Sequence, residues 1–170
     1  MENKNITEAI KLISNNQDLS FELANSAMDE IMRGDVTPAQ FGSFIMGLKM
    51  KGETSTEIAG LATGMREKSL KVELDEPLLD TCGTGGDGLK TFNISTSVAF
   101  VVAGAGVKVA KHGNRAISGS SGSADVLEEM GVKITLSPYS VKKCIEEIGI
   151  GFIFAQSFHP AMKFASPLRR

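Results

Sequence analysis

The 170-residue sequence has no tryptophan, one tyrosine and only two cysteines, Cys82 and Cys144, which sit in no paired motif. So sparse an aromatic set leaves few platforms on which single-stranded nucleic acid could stack. Two distant thiols argue against a disulfide framework and fit a reducing cytoplasm. An excess of charge is also missing: 18 Lys and Arg against 20 Asp and Glu give a formal net charge of -2. No global basic field therefore attracts nucleic acid or anionic membrane. The longest apolar run, Val98 to Val107, is broken by Gly104 and Gly106. It is about half of what a spanning helix needs, so it reads as a buried element of a soluble fold. The start, Met1-Glu2-Asn3-Lys4-Asn5, has no apolar stretch of the kind a secretory signal requires. What remains, 42% hydrophobic and 22% charged residues with 18 glycines, describes a globular protein with a substantial core.

The first third predicts four amphipathic helices. Ile6, Ile10 and Ile13 follow helical spacing, and Phe21, Ala24, Ala27, Met28 and Ile31 repeat it until Gly34. Thr37-Pro38-Ala39-Gln40 is a capping box with proline at the first helical position, leading to Phe41, Phe44, Ile45 and Leu48 as core. A second capping box, Thr54-Ser55-Thr56-Glu57, opens a helix through Ile58, Leu61, Ala62 and Met65. The charged, proline-containing stretch Lys71 to Pro77 reads as a linker. Beyond it, short runs at Leu78-Leu79, Val107-Val109 and Ile150-Phe154 alternate with helical patterns at Ser95-Ala105, Ser123-Met130 and Ser137-Ile148. Strands alternating with helices predict a parallel sheet, hence an all-helical domain over 1–73 and an α/β domain over 74–170.

Two loops have compositions that ordinary connections lack. In Asp80-Thr81-Cys82-Gly83-Thr84-Gly85-Gly86-Asp87-Gly88 a short strand runs into four glycines within six positions, then through Thr91 to Asn93-Ile94-Ser95-Thr96. Without Cβ atoms, several successive N–H groups can turn toward one anion. The helix start at Ser95-Thr96 favours phosphate, and the hydroxyls of Thr91, Ser95 and Thr96 add donors or a ligand for a divalent cation. Asp87 suggests ribose hydroxyls or a nearby metal. The loop is neither a P-loop nor a dinucleotide turn. The second stretch, Lys111-His112-Gly113-Asn114-Arg115-Ala116-Ile117-Ser118-Gly119-Ser120-Ser121-Gly122-Ser123-Ala124-Asp125, leaves the strand Val107–Lys111. Both loops then emerge at carboxyl ends of strands, where open α/β sheets bind ligands. A flexible glycine turn or a solvated serine–glycine connection is the plain alternative, but Lys-His directly after an apolar strand is a costly way to write one. The residues alone reach a two-loop pocket for a polyanionic, sugar-bearing ligand with a divalent metal.

On Asp80–Asp87, Asn93–Thr96, Lys111–Arg115 and His159-Pro160-Ala161-Met162-Lys163 with Arg169, the sequence resembles the anthranilate phosphoribosyltransferase family. Lys51-Gly52-Glu53-Thr54 and Met65-Arg66 agree, so the resemblance covers essentially the whole chain. It implies transfer of the phosphoribosyl group of phosphoribosyl pyrophosphate to the amino group of anthranilate, in tryptophan biosynthesis. A magnesium-dependent cytoplasmic homodimer, paired through its helical domain, is implied with it. By the same resemblance, Gly83, Gly86, Asp87, Thr91, Asn93, Ile94, Ser95 and Thr96 hold phosphoribosyl pyrophosphate, and Ser95 ligates magnesium. Lys111, His112, Gly113, Asn114, Arg115, Ala116, Ile117, Ser118, Gly119 and Ser123 complete the pyrophosphate side. Gly83, Asn114 and Arg169 contact anthranilate.

No residue is expected to act as general acid or base, because the attacking aromatic amine already carries a free lone pair. Lys111 is expected to stabilise the departing charge. His112 is weighed evenly between binding and wall, His159 is expected to be structural at a helix start, and Cys82 to pack at a strand end without thiol chemistry. One departure stands out. Family members are considerably longer, and the acidic Asp-Glu pair they use for magnesium has no counterpart before Arg170. Little or no turnover is therefore expected of these 170 residues alone, and a phosphoribosyl-transfer assay reaching the rate of a longer relative would contradict this. Other readings are a pyrimidine nucleoside phosphorylase-like enzyme, a nucleic-acid-binding relative without catalysis, or a fragment that binds without turnover.

Overall fold

The computed structural model describes residues 3–83, 92–116 and 121–164. The chain divides into two compact units, one holding Met1–Ser69 and the return segment from His159, the other Leu70–Phe158.

The helical unit has four helices, α1 Lys4–Ser14, α2 Phe21–Arg33, α3 Pro38–Lys51 and α4 Ser55–Glu67. Both expected capping boxes form, at Thr37 with Gln40 and at Thr54 with Glu57. Gly34 ends α2 in the left-handed region at φ 79°, a conformation that glycine adopts without strain. Ile6, Ile13, Ala24, Ala27, Ile31, Phe41, Phe44 and Leu48 make the core. Ile45 does not join it and is 45% exposed, so the core side of α3 is narrower than expected. Small residues set how closely α4 approaches α2. A Cβ on Gly60 would stand 2.5 Å from the carbonyl oxygen of Phe21, and one on Gly64 3.0 Å from that of Asn25.

Two buried carboxylates tie this unit together. Glu30, on α2, accepts the amides of Asn5 (3.2 Å) and Ile6 (2.9 Å), capping α1, which has no side-chain cap of its own. Glu57 is wholly buried and accepts the amides of Leu19 (2.8 Å) and Thr54 (2.7 Å) and the Lys51 ammonium (3.0 Å). A carboxylate in such a place is tolerated only because each oxygen is satisfied.

The α/β unit contains α5 Ile94–Gly104, strand β1 Val109–Gly113, α6 Ser123–Glu129, α7 Pro138–Ile148, strand β2 Ile150–Phe154 and α8 Ala155–Phe158. β1 and β2 pair in parallel, with Val109 opposite Ile150 and Gly113 opposite Phe154. Leu79 adds a parallel bridge on the other side of Val109. Along β2, Phe152 and Phe154 pack with Ala124, Leu127 and Ile134, while Ile153 joins the cluster of Val141, Ile145 and Phe158.

Several local expectations change. Val72 and Leu74 pack into the second cluster, so Lys71–Pro77 is an outer layer of the α/β core and not a free linker. β1 begins at Val109, with Val107 48% exposed, and runs on to Gly113, which places Lys111 inside the strand. The run from Val98 to Val107 is not wholly buried. Ala99 is at 0%, yet Val98, Phe100 and Val101 are 39%, 42% and 72% exposed, because α5 rests on β1 and β2 by one face only. Past His159 a helix starts at Pro160 as expected, in the 3-10 form, Pro160–Phe164.

Burial alone would push the Glu57 carboxyl up, but the amides of Thr54 and Leu19 and the Lys51 ammonium outweigh it and hold the group below its ordinary 4.5. Its folded value is depressed, so the stabilisation is fully present above about pH 4.5 and fades as pH falls through the folded value. Denaturant titrations across this acid range should show wild type losing stability more steeply than Glu57→Gln. At neutral pH the variant should be weaker by about 2 kcal/mol. Parallel acid profiles would contradict the assignment.

Candidate functional site

Parallel pairing brings three chain segments out at one edge of the sheet. After Leu79 comes Asp80-Thr81-Cys82-Gly83, β1 ends in Lys111-His112-Gly113, and β2 leads to Gln156 on α8. The carboxyl edge is thus shared, as the two-loop reading requires.

Lys111 lies at its centre. Alternation along β1 turns Val109, Lys111 and Gly113 to the buried face, and Lys111 is 2% exposed. Its Nζ is 3.5 Å from Thr81 Oγ1 and 3.5 Å from Ser95 Oγ. The Thr81 hydroxyl itself donates to the Ser95 carbonyl at 2.8 Å, fixing the first loop to the start of α5. No carboxylate pairs with Lys111 among the described residues. Burial lowers its pKa from the ordinary 10.5, with Cys82 and Asp80 opposing the shift. A desolvated ammonium among hydroxyls attracts an incoming anion more strongly than one in water.

The remaining contacts join the loops. Asp80 Oδ1 accepts the amides of Cys82 (2.9 Å) and His112 (3.2 Å), linking the first loop to β1. Thr96 Oγ1 donates to Ser123 Oγ at 3.0 Å, and Asn93 Nδ2 reaches Ser121 Oγ at 3.5 Å. The start of α5 has no side-chain cap; the Ile94 and Thr96 amides already reach the carbonyls of Phe92 and Asn93, so the Ser95 amide is the first-turn donor left for an anion. Gly113 is sterically demanded: a Cβ there would lie 2.7 Å from the Phe152 ring and 3.0 Å from the Ser123 Cβ. Gln156 Nε2 stands 3.5 Å from Asn114 Oδ1.

Among the expected ligand residues, Gly83, Asn93, Ile94, Ser95, Thr96, Lys111, His112, Gly113, Asn114, Arg115, Ala116 and Ser123 all fall in this unit. Gly86, Asp87 and Thr91 lie outside the described residues, as do Ile117, Ser118, Gly119 and Arg169. Cys82 is exposed and does not pack at a strand end; its Sγ is 3.9 Å from His112 Nδ1. Desolvation, with Asp80 adding, pushes its thiol up, against thiolate chemistry. Asp80, Thr81, Ser121 and Asp125 lie in the two loop stretches but were given no role from the sequence, and Gln156 was missed. For Asp80, Thr81 and Gln156 a signal was available, since each follows a strand at the edge where ligands bind.

A helical unit is thus followed by an α/β unit in which Thr81, the start of α5 and β1 meet at the buried Lys111. Residues 75–170 match the glycosyl transferase family's a/b domain and residues 7–69 its helical bundle domain. The chain belongs to that glycosyl transferase family. It is 60% identical over 166 residues to the anthranilate phosphoribosyltransferase of Chloroflexus aurantiacus, covering 98% of this chain and 49% of that protein. To that of Dehalococcoides mccartyi it is 59% identical over 165 residues, covering 97% and 48%. The crystal structure of the Thermus thermophilus enzyme superposes with a TM-score of 0.88 at 44% identity, over 95% of this chain and 49% of that one. The Saccharomyces cerevisiae enzyme, in complex with phosphoribosyl pyrophosphate and magnesium, gives 0.87 at 29% identity, over 96% and 50%. The chain spans about half the length of the curated relatives it matches.

Because its charged form is disfavoured by the fold, Lys111 makes stability depend on pH. The unfolded chain holds the proton up to about 10.5, so stability should rise as pH climbs from the lowered folded value toward that figure. Lys111→Met should abolish the rise and leave neutral-pH stability equal or higher, as denaturant titration at several pH values can measure. A variant weaker by more than about 1 kcal/mol would refute the buried-charge account.

Proposed function

We propose that the protein transfers the phosphoribosyl group of phosphoribosyl pyrophosphate to the amino group of anthranilate, giving N-(5-phosphoribosyl)anthranilate and pyrophosphate. The observation that carries this is Lys111, buried at 2% exposure between the first loop and the start of α5, with hydroxyls and no carboxylate around its ammonium. The relatives named above support the choice of substrates.

The chemistry suits these groups. Pyrophosphate leaves an anomeric carbon, and the ring gains oxocarbenium character as the bond breaks. The protein's task is to stabilise the departing negative charge. Lys111 and the Ser95 amide at the start of α5 can do so, each well-placed donor contributing about 3 kcal/mol to the transition state. Anthranilate attacks through an aromatic amine that needs no strong base, so orientation carries much of the remaining rate. Asn114 and Gly83 are the residues we assign to its pocket, with Arg169 as a planar fork for its carboxylate.

Magnesium fits this donor set in one particular way. Ser95 Oγ and Thr81 Oγ1 are hydroxyls, and the described residues contain no group of three or more His, Cys, Asp or Glu able to hold a metal. Such a set suits a cation that arrives with a diphosphate and takes most of its ligands from phosphate and water. Bound so, magnesium would neutralise charge on the leaving group, with Ser95 as its protein ligand. We place the enzyme in the cytoplasm and assign the helical unit as its pairing surface in a homodimer. The exposed side chains of Ile45 (45%), Met46 (61%), Met50 (80%) and Ile58 (55%) on α3 and α4 support that pairing.

The test is loss of anthranilate fluorescence in the intact protein with phosphoribosyl pyrophosphate and magnesium. Lys111→Ala should lower kcat by about a hundredfold, roughly 2.7 kcal/mol, and also raise KM for phosphoribosyl pyrophosphate, while Arg169→Ala should chiefly raise KM for anthranilate. Equal effects of both changes on both substrates would overturn the division of roles. Phosphorolysis of uridine or thymidine in place of anthranilate transfer would select a nucleoside phosphorylase instead.

A further inference from the structure

The neck of the second ligand loop is held by a residue to which no ligand role is assigned. Asp125, in the first turn of α6, accepts two amides on one oxygen: Oδ2 takes the N–H of Ala116 at 2.9 Å and that of Gly122 at 2.7 Å. Those two residues flank the stretch 117–120. Their approach is tight enough that a Cβ on Gly122 would stand 2.6 Å from the Asn114 carbonyl oxygen. The other carboxylate oxygen, Oδ1, faces Arg115 at 3.3 Å. Arg115 also forks onto both oxygens of Glu128 and lies over the Phe154 ring, 5.7 Å from its centroid. The amides of Gly122 and Ala116 hold Asp125 below its ordinary carboxyl value, as a structural acceptor should be held.

We infer that Asp125 is a positioning residue for the second ligand loop, and that Arg115 acts through the same clamp and not by touching the anion. The inference rests on the phosphoribosyl-transfer reading for what the loop receives. Two carboxylates already compensate the guanidinium of Arg115, so the clamp as a whole carries no surplus positive charge. A neck fixed before the ligand arrives removes ordering that binding would otherwise have to supply. Among the described residues Lys111 then remains a cation without a carboxylate partner on this side.

The test combines kinetics with amide exchange in the intact protein. Asp125→Ala should raise KM for phosphoribosyl pyrophosphate about tenfold while changing KM for anthranilate and kcat by less than about threefold. Asp125→Asn, which keeps an acceptor oxygen, should recover most of that loss. In a double-mutant cycle, Arg115→Gln and Asp125→Ala should be non-additive, because both open one neck. Hydrogen exchange at the Ala116 and Gly122 amides should accelerate in Asp125→Ala even without substrate. If wild type transfers no phosphoribosyl group, the functional reading fails, and accelerated exchange would still uphold the clamp. Unchanged exchange together with unchanged KM in Asp125→Ala would overturn the inference. So would additive losses with Arg115→Gln the larger by about a hundredfold, the result expected of a direct anion ligand.

Discussion

The parallel register of Leu79, Val109 and Ile150 is the constraint on which the site depends. Parallel strands all finish at the same edge, whereas an antiparallel neighbour would send its loop to the opposite one. Once these three are in register, Asp80-Thr81, Lys111–Gly113 and Gln156 must lie close together, whatever else the loops contain. Register also decides which side chains are buried. Because the side-chain period is two, a slip of one residue along β1 would turn Lys111 away from the buried face that it shares with Val109 and Gly113. Gly113 makes such a slip expensive, since only glycine fits between the Phe152 ring and Ser123.

Lys111 turns that geometry into chemistry at the expense of stability. A buried ammonium without an ion pair is disfavoured, and the lowered pKa expresses the same fact in another unit. The surrounding hydroxyls of Thr81 and Ser95 solvate it only partly. A polyanion can supply what the protein withholds, so the strain present in the free protein becomes attraction in the complex. This is the usual direction of conflict between a stable fold and a working site.

Much of the fold could be read from local chemistry. Thr37 and Thr54 announce helix starts because their hydroxyls and the third-position Gln40 and Glu57 satisfy amides within one turn. Gly34 and Gly149 announce stops through left-handed geometry at φ 79° and 78°. The alternation of apolar runs with helical patterns foretold the parallel sheet. What could not be read are contacts made far along the sequence. Glu30 caps a helix 24 residues earlier, and Glu57 satisfies Leu19 across 38; in sequence each looks like an ordinary surface acid on an amphipathic helix. Ile45 and Val101 failed in the opposite sense, since helical period locates an apolar stripe without saying how wide the packed face will be.

The two cations of the second motif show why charge alone does not identify a ligand residue. Lys111 and Arg115 are four positions apart, and both were expected on the pyrophosphate side, Lys111 with the added task of stabilising the departing charge. Their surroundings separate them. Arg115 meets carboxylates at Asp125 and Glu128, ten and thirteen residues on, where α6 returns past the loop. Lys111 meets hydroxyls from Thr81 and from the start of α5. A guanidinium facing two acids has its field largely cancelled and serves geometry, while an ammonium facing neutral oxygens keeps its field and awaits an anion. The acids that make the difference lie on the helix after the loop, Asp125 at the last position of the loop stretch and Glu128 beyond it, and neither is marked by the sequence as a partner of Arg115. Deciding which cation a site can use therefore requires the next element of the fold as well as the loop that carries the charge.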